Sequence, residues 1–415
     1  MCTYIEKQRK LIELEKYSSQ LNWRKTDNQL LMNNLLNSFE AFGISRICDI
    51  SHLDLSHIPV FTVVRPNGKT LAVSAGKGLS KTDSIVSGLM EAAELTVAED
   101  CDDEPVVIPF NKIPIRNRMI ISDSHLLANH KLNEDLPIGW LTAKNLLSDD
   151  DVFVPEPLIK MGVRKDRMAW YCFIGGSNGL ASGLSHEDAI VSALFELIER
   201  DGINCWDEYC SKGGKPNRIE LESIHFQSTT KLIEILSDSG LSINIIDRTT
   251  DIGIPVFCCY LFPSDKKTNE LAAGYGCHNN PEIALNRAIT EAVQGRVVRI
   301  SGARDDFADI NIKSIKSLNI EHILKYELDF TSKTKGLNVE KYQCCLGNYS
   351  SRNIIDLLVE ELKKINIRQV LVYQFDTKSY KPQISVARVV IPGFGAFKHR
   401  GSQSPKRALE FNPIG

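Results

Sequence analysis

The chain has 415 residues, 43% of them hydrophobic and 24% charged, which is enough apolar material for a large core. Forty-nine basic residues against 52 acidic ones leave a net charge of −3, which argues against a nucleic-acid partner of the duplex-DNA kind. No uncharged apolar run approaches the ~20 residues of a membrane helix, and the opening MCTYIEKQRKLIELEKY lacks the apolar stretch of a secretory signal, so the chain reads as soluble and cytoplasmic with no membrane contact.

Residues 1–24 read as an N-terminal extension. No Pro-, Gly- or Ser-rich linker divides residues 25–415, which are expected to form one domain. Asn28 to Phe42 is predicted helical, ending at Gly43, and Ile44 to Ile50 is predicted as a strand. Ile58-Pro59-Val60-Phe61 opens a β-branched run that closes at Pro66-Asn67-Gly68, whose Asn-Gly pair signals a hairpin turn. The glycine-bearing stretch Ala75-Gly76-Lys77-Gly78 leads into GLSKTDSIVSGLMEAAE at 78–94. Gly175-Gly176-Ser177-Asn178-Gly179 precedes GLSHEDAIVSALFELIE at 183–199. Thr229 to Ser239 is predicted helical and Leu241 to Ile246 extended. Ile254-Pro255-Val256-Phe257 opens another strand, and Gly274-Tyr275-Gly276 precedes PEIALNRAITEAVQ at 281–294. Residues 305–350 are polar and weakly patterned, an expected excursion or lid. Ile354 to Ile365 then reads as a helix, and Gln369 to Phe375 and Ile384 to Ile391 as strands. The tail carries Lys398, His399, Arg400, Lys406 and Arg407 and ends Asn412-Pro413-Ile414-Gly415.

The segments at 78–94 and 183–199 match without gaps at ten positions, 105 residues apart, and 281–294 is a weaker third copy. Apolar residues at helical intervals make each an amphipathic helix. The pairs Glu91/Glu94, Glu196/Glu199 and Glu291/Gln294 then each fall on one face, about one turn apart. A single pair of this kind usually lies on a solvated face; three copies in register point to a site. A repeat spacing near 100 is far longer than the 20–50 residues of a solenoid unit and signals an old duplication. The expected fold class is α+β, with duplicated strand–loop–helix units whose helices pack on largely antiparallel sheets around a central nucleotide pocket.

Five gathered carboxylates repel one another unless cations neutralise them. Magnesium takes oxygen ligands, commonly one or two carboxylates together with substrate phosphates. Lys77, Arg200, Arg296 and Arg304, with backbone N–H groups of the glycine loops, are the expected phosphate donors. The combination reads as a nucleoside-triphosphate site working by positioning and electrostatic stabilisation. Neither a GxxxxGK[ST] loop nor the HRD and DFG motifs of kinases is present.

At GISRICDI, IPVFTVVRPNG, SAGKGLS…SGLMEAAE, GLASGLSHEDAIVSALFELIERDG, GYGCHNNPEIALNRAITEAVQGR and SGARDD the sequence resembles the YcaO family of ATP-dependent peptide-modifying enzymes. The resemblance implies one catalytic domain over 25–415, with a nucleotide-binding core at 25–306 and a C-terminal α/β part at 350–415. It implies ATP and Mg²⁺ as cofactors, and a peptide or protein substrate whose backbone amide oxygen is phosphorylated before a nucleophile attacks the carbon. Carried over, it implies Glu196, Glu199 and Glu291 as catalytic. Lys25, Lys77, Ser87, Glu91, Glu94, Asp188, Arg200, Gln294 and Arg304 become nucleotide-binding, and Glu94, Glu196, Glu199 and Glu291 metal-binding. Asp188 stands where some members have Glu.

The nucleophile varies among such enzymes: a neighbouring Cys, Ser or Thr gives an azoline, sulfide a thioamide, an amine an amidine. The GISR…IPV…RPNG…GKG run looks most like members that form thioamides beside a TfuA-type partner, and the proline-rich tail of azoline formers is absent. Leader recognition is expected from a separate protein. A cyclodehydratase, an enzyme acting on a folded protein and a non-catalytic nucleotide-binding adaptor are the alternatives. The oligomeric state stays open, a homodimer included.

Eleven cysteines form no CxxC pair, so neither a disulfide framework nor a zinc site is expected. Cys277, beside His278 at a helix start, is the one whose thiolate the helix could favour. External sulfide or a partner is nevertheless the expected sulfur source, not a covalent relay through Cys277.

Overall fold

In chain order the elements are helices α1 (Tyr4–Gln20) and α2 (Asn28–Leu36), strands β1 (Arg46–Asp49), β2 (Val60–Val64) and β3 (Val73–Lys77), and helix α3 (Lys81–Asp100). Strands β4 (Val106–Pro109), β5 (Pro137–Asn145), β6 (Asp151–Pro155) and β7 (Leu180–Gly183) lead to helix α4 (His186–Ser211) and strand β8 (Asn217–Arg218). Then come α5 (Gln227–Asp238), β9 (Leu241–Asp247), β10 (Val256–Pro263), β11 (Ala272–Cys277) and α6 (Pro281–Ser301). Helix α7 (Ser351–Lys364), β12 (Leu371–Gln374), β13 (Ser385–Val390) and α8 (Lys406–Glu410) are the last of the described elements. This computed structural model describes residues 4–21, 27–127, 131–162, 168–265, 271–303, 338–342, 350–381, 383–395 and 404–413. Lys25, Arg304, most of the 305–350 segment, Lys398, His399, Arg400 and the last two residues lie outside the described residues.

Among the described residues every strand pair is antiparallel, in three sheets. The first runs β1-β2-β3, and its β2–β3 connection turns where Gly68 N–H donates to Arg65 C=O at 3.0 Å. The second runs β4-β5-β12-β13-β7, with β6 also paired to β5, and the third β11-β10-β9-β8. Strands from 371 onward thus sit in the middle of a sheet begun at 106, so the C-terminal residues share a layer with the centre of the chain.

Each sheet ends in an edge strand that feeds a glutamate-bearing helix: β3 into α3, β7 into α4, β11 into α6. The three helices start alike, at Ser80, Ser185 and Asn280, whose side chains accept from N–H groups of the first turn. The expected glycine loops before α3 and α6 are a correction: Gly76, Gly274 and Gly276 lie inside β3 and β11. They are needed for lack of a side chain. A Cβ at Gly76 would stand 1.8 Å from Ser84 C=O, at Gly274 2.1 Å from Ala292 N, and at Gly276 2.1 Å from Ala284 C=O. Helix backbone rests directly on strand backbone there.

The helix predicted over 28–42 stops at Leu36, and turns carry the chain to Gly43 at φ +64°. Ser38 bonds back to Asn34 C=O at 3.1 Å, the local competition by which serine and asparagine break helices. Helix α1 is tied in by Leu14, fully buried in the core of α5, α6 and the β8–β11 sheet. At the other end, Arg407 on α8 pairs with Asp201 of α4 at 3.0 Å and with Asp251. Phe411 meets Trp206 and Tyr209 edge-on. Among the described residues no helix is long and apolar enough to cross a membrane.

Candidate active site

The repeat seen in sequence becomes a repeated hydrogen bond. The first member of each repeated pair accepts an N–H in or just before the preceding edge strand. Ala75 N donates to Glu91 at 3.2 Å, Gly179 N to Glu196 at 3.2 Å, and Tyr275 N to Glu291 at 3.3 Å. The residue one turn later reaches the next unit. Glu94 accepts from Ser182 N and Oγ in β7 at 2.8 and 2.7 Å, and Gln294 donates to Ala75 C=O in β3. Glu199 lies close enough to Cys277, in β11, to raise the thiol's pKa. Helix α3 packs on β7, α4 on β11 and α6 on β3. The three units therefore close into a ring, with the glutamates inside.

Cations are interleaved with these carboxylates. Arg200 donates to Glu199 at 2.9 Å and to Glu196 at 3.4 Å, and Lys77 pairs with Glu291 across the ring. Burial pushes Glu94 up to about 8 despite the Ser182 hydrogen bonds, with Glu91 and Glu196 adding repulsion. Burial likewise pushes Glu199 up to about 7, opposed by Arg200 and reinforced by Glu291. Glu291 goes the other way. Burial would raise it, but Lys77 and Arg200 together hold it below the ordinary range.

A cleft of about 370 Å³ opens beside the ring, lined on one flank by Lys77, Ser87 and Glu94 and on the other by Ser192 and Arg287. The C-terminal end of α1 and the start of α2 form its rim, through Ser18, Leu21 and Asn28. Of the residues marked in sequence, Lys77, Ser87 and Glu94 line this cleft. Glu91, Glu196, Glu199, Arg200, Glu291 and Gln294 belong to the ring beside it and do not line the cleft themselves. Asp188 is held elsewhere: it sits in the first turn of α4 and accepts a hydrogen bond from Ser351 at 2.5 Å, tying α4 to α7. Its repeat partner Asp83 lines the cleft instead. Arg296, counted among the phosphate donors, is paired with buried Asp54 at 2.8 Å. The strand N–H groups expected to cradle phosphate are spent on Glu91 and Glu291.

Arg287 escaped the sequence reading, although its signal was present. Ser87, Ser192 and Arg287 stand four residues before Glu91, Glu196 and Glu291, and all three line the cleft. Buried Arg287 Nε has no protein partner. Cys277 is buried, and burial with Glu199 beside it drives the thiol well above the ordinary range, opposite to activation by a helix start. His278 is structural too: its Nδ1 accepts from Asn280 N at 2.9 Å and its ring packs 4.6 Å from Phe195.

The donor set suits Mg²⁺ and a polyphosphate, since its ligating atoms are carboxylate oxygens and its counter-charges are Lys77, Arg200 and Arg287. Among the described residues no three His, Cys, Asp or Glu side chains form a ready-made metal cage. Such sites complete themselves with phosphate oxygens and water. A carboxyl must lose its proton to bind metal. Were Glu94 and Glu199, raised to about 8 and about 7, to ligate a metal, the protons they carry near neutral pH would have to leave. Calorimetry in buffers of different ionisation enthalpy should therefore show proton release on Mg²⁺–ATP binding, larger at pH 6 than at pH 8.5. The same raised values make the ligand-free fold lose stability as pH climbs from about 4.5 to 8, because the unfolded chain surrenders these protons first. Equal proton release at both pH values would contradict the assignment.

The family model described as YcaO cyclodehydratase, ATP- and Mg²⁺-binding, matches residues 75–395. A protein in the tfuA 3′ region of Rhizobium leguminosarum bv. trifolii is 33% identical over 275 residues, covering 64% of this chain. The chain spans 65% of that relative's length. Among solved structures, a heterocyclase in complex with substrate and cofactor aligns with a TM-score of 0.74 at 17% identity, over 92% of this chain and 54% of that one. YcaO from Methanopyrus kandleri, bound with AMPPCP and Mg²⁺, aligns at 0.70 and 18% identity, over 89% and 92%. These two show that the fold is shared.

Proposed function

Because this chain belongs to the YcaO family, we propose that it uses ATP to phosphorylate a backbone amide oxygen of a peptide or protein, and that sulfide then attacks the amide carbon to leave a thioamide. The observation that carries the phosphorylation step is the ring of glutamates, cations and strand amides with a cleft opening beside it, into which Lys77 and Glu94 of the ring face. In this reading Glu94, Glu196, Glu199 and Glu291 hold Mg²⁺, which supplies positive charge against the triphosphate when bound. Lys77, Arg287 and Ser87 line the phosphate path, and Arg200 keeps Glu196 and Glu199 oriented. Lys25 and Arg304 are carried as further nucleotide contacts on the family resemblance alone. Asp188 serves as a tie between helices.

The chemistry explains the need for ATP. An amide carbonyl is a weak electrophile and its oxygen a poor leaving group; phosphorylation of that oxygen remedies both. Preset charge then lowers the barrier by fixing geometry before the transfer. The thioamide outcome is favoured by the relative encoded in a tfuA region, which also supports a TfuA-type partner. The experiment is to incubate the purified protein with ATP, Mg²⁺, sulfide, a TfuA-type protein from the same genome and peptides encoded nearby. A product in which one oxygen is replaced by one sulfur, with ADP and phosphate formed in step, is expected. Loss of one water from the peptide would move the reading to azoline formation, and ATP turnover with no peptide change under any combination would overturn it.

A further inference from the structure

The Asn178–Gly179 peptide group is gripped from both sides. Its N–H donates to Glu196 at 3.2 Å and its C=O accepts from Arg388 Nη1 at 2.8 Å. Arg388 projects from β13 and is 1% exposed, with its Nε on Ile159 C=O at 3.2 Å. Its remaining terminal nitrogen, Nη2, has no partner, and among the described residues no carboxylate lies within ion-pair distance. Burial lowers it only to about 10, so it stays cationic at neutral pH.

Arg388 borders a cavity of about 50 Å³ that also holds His125 and Asn178 and is walled by Ile174, Leu197 and Phe394. Two further buried polar atoms of that lining are unpartnered, His125 Nδ1 and Asn178 Oδ1. His125 is 9% exposed, and burial pushes it down to about 4, so the ring is neutral at pH 7. Unmet donors and acceptors in a native interior cost free energy and call for an explanation.

The pattern selects its occupant. The cationic Nη2, with its two open N–H groups in an apolar wall, attracts a monoanion of very few atoms, and it offers too few donors for the three oxygens of a phosphate. Asn178 Oδ1 is an acceptor, and neutral His125 presents a second in the tautomer with its proton on Nε2; together they favour an anion that still carries one hydrogen. Hydrosulfide satisfies both, accepting from Arg388 and donating its S–H to His125 or Asn178. We propose that this cavity is the docking site of the attacking sulfur, separated from the Glu196 carboxylate by the Asn178–Gly179 peptide group. The proposal rests on the thioamide reading. The step is balanced without a redox partner. The HS⁻ lone pair forms the C–S bond to the O-phosphorylated amide carbon, and the C–O bond to phosphate then breaks. The S–H proton leaves with the departing phosphate, giving C=S and hydrogen phosphate, ADP having left in the phosphorylation step.

Crystals of the protein soaked in sodium bromide test the cavity without needing activity. An anomalous bromide peak at Arg388 Nη2 is expected in the natural protein, displaced by sodium hydrosulfide and missing from Arg388→Met. No peak, or a peak that hydrosulfide leaves in place, overturns the proposal. In thioamide assays, Arg388→Met should raise KM for sulfide by about tenfold or more with KM for ATP within about twofold. Should Arg388→Met fail to fold, His125→Phe keeps the ring shape but lacks the acceptor. It is expected to raise KM for sulfide, and an unchanged value overturns the site. If no thioamide forms with any peptide, the function reading fails while the bromide and hydrosulfide experiment still judges the cavity.

Discussion

Glu199→Gln is expected to reduce ATP-dependent amide activation by at least about a hundredfold, with the melting temperature of the ligand-free protein within ~3 °C of the parent. The separation of the two effects follows from the site. Burial already holds Glu199 near neutrality, at about 7, so a neutral amide of the same shape costs the empty fold little. Arg200 keeps its second partner, Glu196, at 3.4 Å. What the amide cannot do is lose a proton and face a cation. The stabilisation that Mg²⁺–ATP gives the natural protein in a thermal scan should accordingly vanish in the variant. Glu196→Gln should lose activity as well. Full turnover in both variants would remove these residues from the site.

Gly276→Ala is expected to cost about 3 kcal/mol or more in a urea melt. The added methyl would meet Ala284 C=O at 2.1 Å and Ala288 N at 2.6 Å, all of it backbone that cannot swing aside. Helix α6 would have to lift from β11, and Tyr275 N would lose its register with Glu291. Gly295→Ala is the control. Its Cβ would approach Ala273 C=O no closer than 3.7 Å, and alanine is the better helix former by roughly 1 kcal/mol. That variant should be neutral or slightly more stable. An unaffected Gly276→Ala would mean that helix and strand are less tightly seated than the geometry says.

These glycines mark how far the sequence could be read. The strands, the three helices and the hairpin at Pro66-Asn67-Gly68 follow from local pattern, because spacing and turn chemistry act over a few residues. The glycines looked like loop residues for the same reason. Their role is a contact between backbone atoms of two elements, which leaves no side-chain trace. Glu91, Glu196 and Glu291 were legible because a repeat preserves spacing. Arg287 was legible in the same register and overlooked because its chemistry differs from Ser87 and Ser192. Asp188 shows the converse, a repeated residue whose copy has been recruited to Ser351. The neighbourhood of Arg388, His125 and Asn178 had no signal at all. It joins residues more than two hundred positions apart through the pairing of β13 with β7, and only the folded chain brings them together.

The cyclic order in which each glutamate helix leans on the following unit's strand has a consequence for motion. A two-lobed enzyme opens about a hinge, because one boundary between its halves is weaker than the rest. A closed circuit of three mutually braced pieces has no such boundary, and parting any two of them strains the third. The floor of the cleft is therefore a fixed template, held as one cooperative unit. Among the described residues lining the cleft, only those of α1 and α2 and the turn after α1 stand outside the circuit.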